Sequence, residues 1–217
     1  MKSLKRISIM IGIILLVVLA VLGYFTLRNY HPDKKIVVAE NKVKPISIDT
    51  ATFISWNIGY CGLSADMDFF YDGGEKVRTS KEKTEENLAF IKKQLTGTED
   101  IPFFLLQEVD TASKRSYYID QFDQISKVLP SYQGYFATNY HVDFVPVPLT
   151  NPLGKVRGGL ATFSRFTPKS VTRYAYPSSY SWPMNLFMLD RCFMVNEFML
   201  KNRKKLLVIN THNSAYD

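Results

Sequence analysis

Cysteine and histidine are scarce in this chain. Cys61 and Cys192 are its only cysteines. Two thiols make no disulfide framework; one bridge is open to them, and the sequence does not decide it. Neither has metal-site spacing, and His31, His141 and His212 are scattered. That pattern argues against a multi-histidine zinc cluster. Glycine and proline stand at ordinary levels, and no internal repeat or low-complexity tract occurs, which excludes a repeat architecture. The body also lacks charge. The formal net charge is +7, but residues 1–44 hold eight basic and two acidic side chains, so residues 45–217 carry only +1. Proteins that live on nucleic-acid phosphates carry a basic stripe on the folded body. Nucleic acid is therefore not the favoured partner.

What is present is apolar. The chain is 46% hydrophobic and 14% aromatic, enough at 217 residues for one globular core and too little for two ordinary domains. The longest apolar run, "ISIMIGIILLVVLAVLGYF" from Ile7 to Phe25, holds no charge and is long enough to cross a hydrocarbon core as a helix. A cleaved signal peptide and a buried core helix are the alternatives. The run exceeds a usual signal core, and no Ala-x-Ala follows it. A helix apolar on every face would be unusual as an N-terminal core element. Residues 1–27 are read as a single-pass anchor or uncleaved signal. The Lys2, Lys5 and Arg6 cluster before it expects the body outside the cytoplasm. Residues 28–44, polar and charged, read as a juxtamembrane linker, and residues 45–217 as the domain.

In the body, residues 46–60 are β-rich up to Asn57. Leu88, Ile91 and Leu95 predict a helix over 80–95, with Ser80 as its N-cap. Residues 102–109, most of them within "FFLLQEVD" (103–110), predict a strand buried on both faces. Tyr118, Phe122, Ile125 and Leu129 predict a second helix over 115–129, stopped by Pro130. Five strand candidates come next, "GYFATNYH", "GLATFSRF", "KSVTRYAY", "DRCFMVNEFML" and "KLLVINTH", with "KNRKK" as a hairpin loop. "MDFFYDGG" reads as a loop near the site.

Three apolar strands then finish in polar residues: "TFISWN" in Asn57, "FFLLQE" in Glu108, and "LLVINTH" in Asn210 and His212. Side chains alternate along a strand, so residues 210 and 212 share a face. If the three strands end at one edge, a carboxylate, an amide and an imidazole converge there. Such a set suits a hard divalent metal and a phosphate. Each residue alone has a plainer reading, as a solvated strand end or a satisfied core group.

The order "SWNIGY", "LLQEVD", "GGLATFSRF" and "VINTHNSAYD" resembles the endonuclease/exonuclease/phosphatase superfamily over about residues 50–217. The resemblance implies an α+β fold, a four-layer α/β/β/α sandwich of two packed mixed sheets flanked by helices. It implies metal-dependent cleavage of a phosphate ester, with Mg²⁺ or Mn²⁺ as cofactor. Glu108 and Asn57 would then serve the metal, and His212, Asn57 and Asn210 would form the catalytic set. Arg157 and Arg191 are candidate phosphate contacts, or else surface charges or halves of salt bridges. The superfamily's later Gly-Asp-x-Asn segment and closing Asp-His pair do not occur, so the chain reads as a fragment without its general-base half. Two classes stay open: a membrane-anchored phosphoric ester hydrolase acting on lipid head groups or small phosphodiesters, and a non-catalytic membrane-tethered binding protein.

Overall fold

The computed structural model describes residues 2–98, 100–177 and 180–213. In chain order the elements are helix α1 (Lys2–Arg28), strands β1 (Lys35–Glu40) and β2 (Phe53–Asn57), helix α2 (Lys81–Thr96), β3 (Phe103–Asp110), helix α3 (Gln121–Val128), and strands β4 (Gln133–Val145), β5 (Gly154–Ser164), β6 (Ser170–Ala175), β7 (Cys192–Met199) and β8 (Lys205–Thr211). They form two four-stranded sheets, ordered β2-β3-β5-β4 and β1-β6-β7-β8.

The first sheet is mixed. β2 and β3 pair in parallel, which requires a crossover, and α2 supplies it. Ser80 starts α2 as expected: its hydroxyl accepts from the Lys83 N–H at 3.1 Å. Leu88, Ile91 and Leu95 then pack on Phe104 and Leu106 of β3. The second sheet is antiparallel throughout, so only one of the two expected mixed sheets is mixed. Between the sheets, Phe103 meets Phe198 and Val208, and Ala137 and Leu160 meet Val171 and Met194.

Three expectations are corrected. The anticipated linker over 28–44 contains β1, which pairs with β6; tertiary pairing recruits a charged segment whose own pattern is weak. The strand expected over 46–60 is regular only over 53–57, and Ile46 makes one isolated bridge to Leu200. The helix expected from 115 begins at Gln121, where the Asp120 carboxylate accepts from the Asp123 N–H at 2.9 Å. Tyr117 and Tyr118 before it are left-handed, at φ 56° and 59°, and cannot continue a helix. The α+β arrangement of two packed sheets stands as expected, with α2 and α3 on the outer face of the first sheet. On the outer face of the second, Val37, Leu207 and Ile209 are each about half exposed.

α1 has a mean hydropathy of 2.8 in its most apolar window and, by length and composition, can cross a membrane; a signal sequence passes the same test. Every side chain from Ser3 to Val21 is exposed.

Candidate functional site

Glu108 owes its position to a break in β3. Regular alternation would point Glu108 to the helix side, with Phe104 and Leu106. Instead the register with β5 shifts between Leu106 and Val109, and Glu108 takes φ 53°. One extra residue at a bulge reverses the facing of the residues beyond it. Val109 therefore joins the helix-side core, and Glu108 turns to the inter-sheet edge. A left-handed glutamate is uncommon and costs on the order of 1–3 kcal/mol.

Around that carboxylate the expected strand ends meet. Asn57 Nδ2 donates to Glu108 Oε1 at 3.0 Å. His212 Nε2 lies 3.7 Å from the same oxygen. The three residues come from β2, β3 and the residue after β8, so both sheets contribute. Burial holds the His212 pKa below its ordinary value; Glu108 opposes that shift and Arg191 adds to it. His212 Nδ1 is buried and has no hydrogen-bond partner.

Asn57 faces Glu108 with its donor, not its oxygen. Its Oδ1 accepts from the Gly59 N–H at 2.9 Å, which fixes the amide orientation. In this arrangement the Asn57 amide holds the Glu108 carboxylate through its donor while its oxygen takes the Gly59 N–H. Asn210, expected in the catalytic set, is 1% exposed. Its Nδ2 donates to the Leu106 and Ala161 carbonyls at 3.2 and 2.9 Å, and its Oδ1 accepts from Gln107 Nε2 at 2.7 Å. An amide fully engaged between two sheets is a peg behind the site, not a group open to substrate.

The arginines separate. Arg191 donates to the backbone carbonyls of His212 and Asn213, at 3.3 and 3.1 Å, and so belongs to the site. Among the described residues no hydrogen bond or ion pair joins the Arg157 side chain to the cluster; it lies toward His141 and Asp143, whose pKa values it helps to lower. Its Nε is buried without a partner. The last residues of the motif, 214–217, lie outside the described residues.

Several supporting residues were not foreseen. Gln107 links Glu108's strand to Asn210. Below the bulge, buried Asp110 receives both Arg115 Nε and Nη2, at 3.0 and 2.9 Å, and the Ser116 hydroxyl at 2.9 Å. The Arg115 guanidinium lies 3.8 Å from the Tyr60 ring centroid. Although burial opposes its charge, Asp110 keeps the Arg115 pKa raised. Gly158 is required here, since a Cβ would run into Asp110. The one available signal was the adjacency of Gln107 and Glu108: two consecutive polar side chains at a buried strand end cannot both find partners on one face without a bulge. The "MDFFYDGG" stretch is a loop in which Phe69 packs 6.4 Å from the Tyr60 ring.

A cleft of about 430 Å³ opens beside Asn57, walled by Trp56, Leu63, Phe90 and Ile91. Among the described residues no three His, Cys, Asp or Glu groups stand together as a metal cage. One carboxylate at an open edge fits a Mg²⁺ or Mn²⁺ ion that keeps water and phosphate as its other ligands, and does not fit a metal held by protein alone. Cys61 and Cys192 are both free and buried, in different core clusters.

No family model and no curated protein matches the sequence. Solved structures do match in shape. An endonuclease/exonuclease/phosphatase from Beutenbergia cavernae DSM 12333 is similar over 74% of this chain, with 17% identity and a TM-score of 0.48. ANGEL2, a 2',3'-cyclic phosphatase, is similar over 74% of this chain, with 18% identity and a TM-score of 0.46 in complex with adenosine-2',3'-vanadate. A second ANGEL2 structure gives 17% and 0.45. This chain spans 37% of the first protein's length and 40% of ANGEL2.

Proposed function

We propose that this chain carries part of the site of a divalent-metal-dependent phosphoric ester hydrolase of the endonuclease/exonuclease/phosphatase type, tethered to a membrane by α1 with its body outside the cytoplasm. One observation supports the reading above the rest: Asn57 Nδ2 and His212 Nε2 approach the same Glu108 oxygen, at 3.0 and 3.7 Å, from two different sheets. A strained, bulged carboxylate that gathers an amide and an imidazole at an open edge is poorly explained by stability alone.

In this reading Glu108 anchors the ion and Asn57 holds the carboxylate in its orientation. His212 presents an imidazole that donates a hydrogen bond or proton to a phosphoryl oxygen. Arg191 holds the backbone of the His212 segment and adds positive charge beside it. Bound Mg²⁺ or Mn²⁺ supplies neutralisation of charge on the phosphoryl oxygens. Membrane tethering and the near-neutral body favour lipid head groups or small phosphodiesters over nucleic acid as substrate.

Calorimetric titration of the full chain with Mg²⁺ and Mn²⁺ tests the proposal. Glu108→Gln should weaken binding at least tenfold while the fold persists. Equal affinity in the two proteins would show Glu108 to be structural and leave the binding-protein alternative standing.

A further inference from the structure

The C-terminal end of α1 does not dangle from the body. The Phe25 ring lies 6.4 Å from Phe144, stacked, and 5.5 Å from Phe187, edge-on. Arg28 Nε donates to Asp143 Oδ2 at 2.8 Å, and Trp182 Nε1 donates to Thr26 Oγ1 at 3.1 Å. Just past the helix, the Tyr30 ring lies 4.8 Å from His141. The helix is thus clamped to two places: the far part of β4, and the 182–187 segment between β6 and β7.

Both places belong to the end of the sandwich that carries the site. β3 finishes at Asp110, which lies opposite Gly158, and Gly158 lies opposite Tyr140. From Tyr140, β4 continues to Val145, roughly 16 Å further at strand rise. The β4–β5 hairpin therefore projects beyond the ends of β2 and β3. On the other sheet, Thr211, next to His212, lies opposite Phe193. The segment before β7 connects the two: Phe187 accepts from the Tyr140 hydroxyl at 3.0 Å and touches Phe25, while Arg191, four residues on, holds the His212 carbonyl.

This same rim exposes apolar side chains. Leu149 is 87% exposed at the β4–β5 tip, with Val147 beside it, and Trp182 and Met184 are each 55% exposed next to the helix. Isolated exposed apolar residues need no explanation. Here they cluster around the point where an apolar helix leaves the body, beside Tyr24, Trp182 and Arg28, residue types that favour a lipid–water interface.

We propose that this rim is a membrane-contact surface: the β4–β5 tip and the 182–184 segment rest in the interface of the bilayer that α1 enters, so the Asn57–Glu108–His212 edge opens at the lipid surface. The inference rests on the reading of α1 as an anchor, and it deepens the proposed function by making membrane-presented phosphate esters its substrates. The occupant is the bilayer because the rim continues directly from the helix's own exit. The clamp contacts hold that orientation; without them a flexible connection would let the body turn freely.

The full chain, reconstituted into phosphatidylcholine vesicles, tests this without reference to activity. Because Cys61 and Cys192 are buried, a thiol introduced at an exposed position can be labelled selectively. Three variants, Gly12→Cys, Leu149→Cys and Asn202→Cys, each carry an environment-sensitive fluorophore, and lipids with a nitroxide near the head group quench it. Asn202 sits in the β7–β8 turn at the opposite end of β8 from His212. The probe at 149 should be quenched at least threefold more than the probe at 202, and the probe at 12 should report insertion of α1. Quenching at 12 with equal, weak quenching at 149 and 202 would overturn the rim proposal alone. No quenching at 12 would remove the anchor reading and the rim with it. Metal binding by Glu108 is not read in this experiment, so its failure remains separate.

Discussion

Gln107 and Glu108 are neighbours in the chain, yet both side chains lie on the inter-sheet side of β3. Gln107 reaches Asn210 at 2.7 Å, and Glu108 reaches Asn57 at 3.0 Å. A regular strand would have sent them to opposite faces. The bulge that prevents this joins the structural core to the candidate site, because the same two residues serve one each.

Substitution at the bulge should invert the usual glycine penalty. Glu108→Ala and Glu108→Gly both remove the carboxylate, but only glycine adopts φ 53° freely. Glu108→Gly should be more stable than Glu108→Ala by about 1 kcal/mol. In an ordinary strand interior glycine would be the weaker by about 0.5–1 kcal/mol. Urea unfolding of the two variants gives the sign directly, and a more stable alanine variant would disprove the left-handed bulge.

Asn210→Ala should destabilise the fold and disturb the site together. It leaves the Gln107 amide and two carbonyls each short of a partner, at a cost of about 2–3 kcal/mol. His212, two residues on, then loses its fixed strand. Denaturant midpoints should fall and metal affinity should weaken. An unchanged midpoint would show that the inter-sheet peg contributes nothing.

The ion pair under the site should show strong coupling. Arg115→Met leaves Asp110 buried and unpaired, which costs about 3–5 kcal/mol. The double variant Asp110→Leu/Arg115→Met should lose clearly less than the sum of the two single variants. Additive losses would mean that the charges do not interact in the folded protein.

The thiols should be silent at neutral pH. Burial pushes Cys61 up to about 12 and Cys192 up to about 11, from an ordinary value of 9.0. Both stay protonated at pH 8, and thiolate is the reactive form. Native protein should therefore resist iodoacetamide at pH 8 while urea-unfolded protein reacts at two sites. Stability depends on pH in the same sense. Above pH 9 the unfolded chain ionises its thiols before the folded one does, so their contribution is complete below 9 and is lost as pH rises toward 11–12. Rapid alkylation of the folded chain would contradict the burial of both.

Local pattern was legible wherever one segment carried its own signal. Leu88, Ile91 and Leu95 announced α2, and Ser80 its start. "FFLLQE" announced a buried strand, and three strands ending in polar residues announced a shared edge. β1 was not legible, because Lys35–Glu40 is a charged-ended segment that becomes a strand only when β6 offers its edge. The late start of α3 was not legible either: two left-handed tyrosines separate it from a helical pattern that runs straight through them.

The sequence by itself determined which residues were candidates, Asn57, Glu108 and His212, because apolar runs that end in polar groups mark strand ends whatever the fold. It also determined the long apolar helix, since length and hydropathy are properties of one segment. Only the tertiary structure decided how the candidates divide their work. Asn57 points a donor at the carboxylate because Gly59 occupies its oxygen, and Asn210 withdraws into the interior because two carbonyls and Gln107 claim it. The docking of α1 at the site end likewise rests on pairings such as Arg28 with Asp143, 115 residues apart in the chain. Hydrogen bonds and ion pairs between distant segments carry no local period, so they exist only once the sheets have brought their partners together.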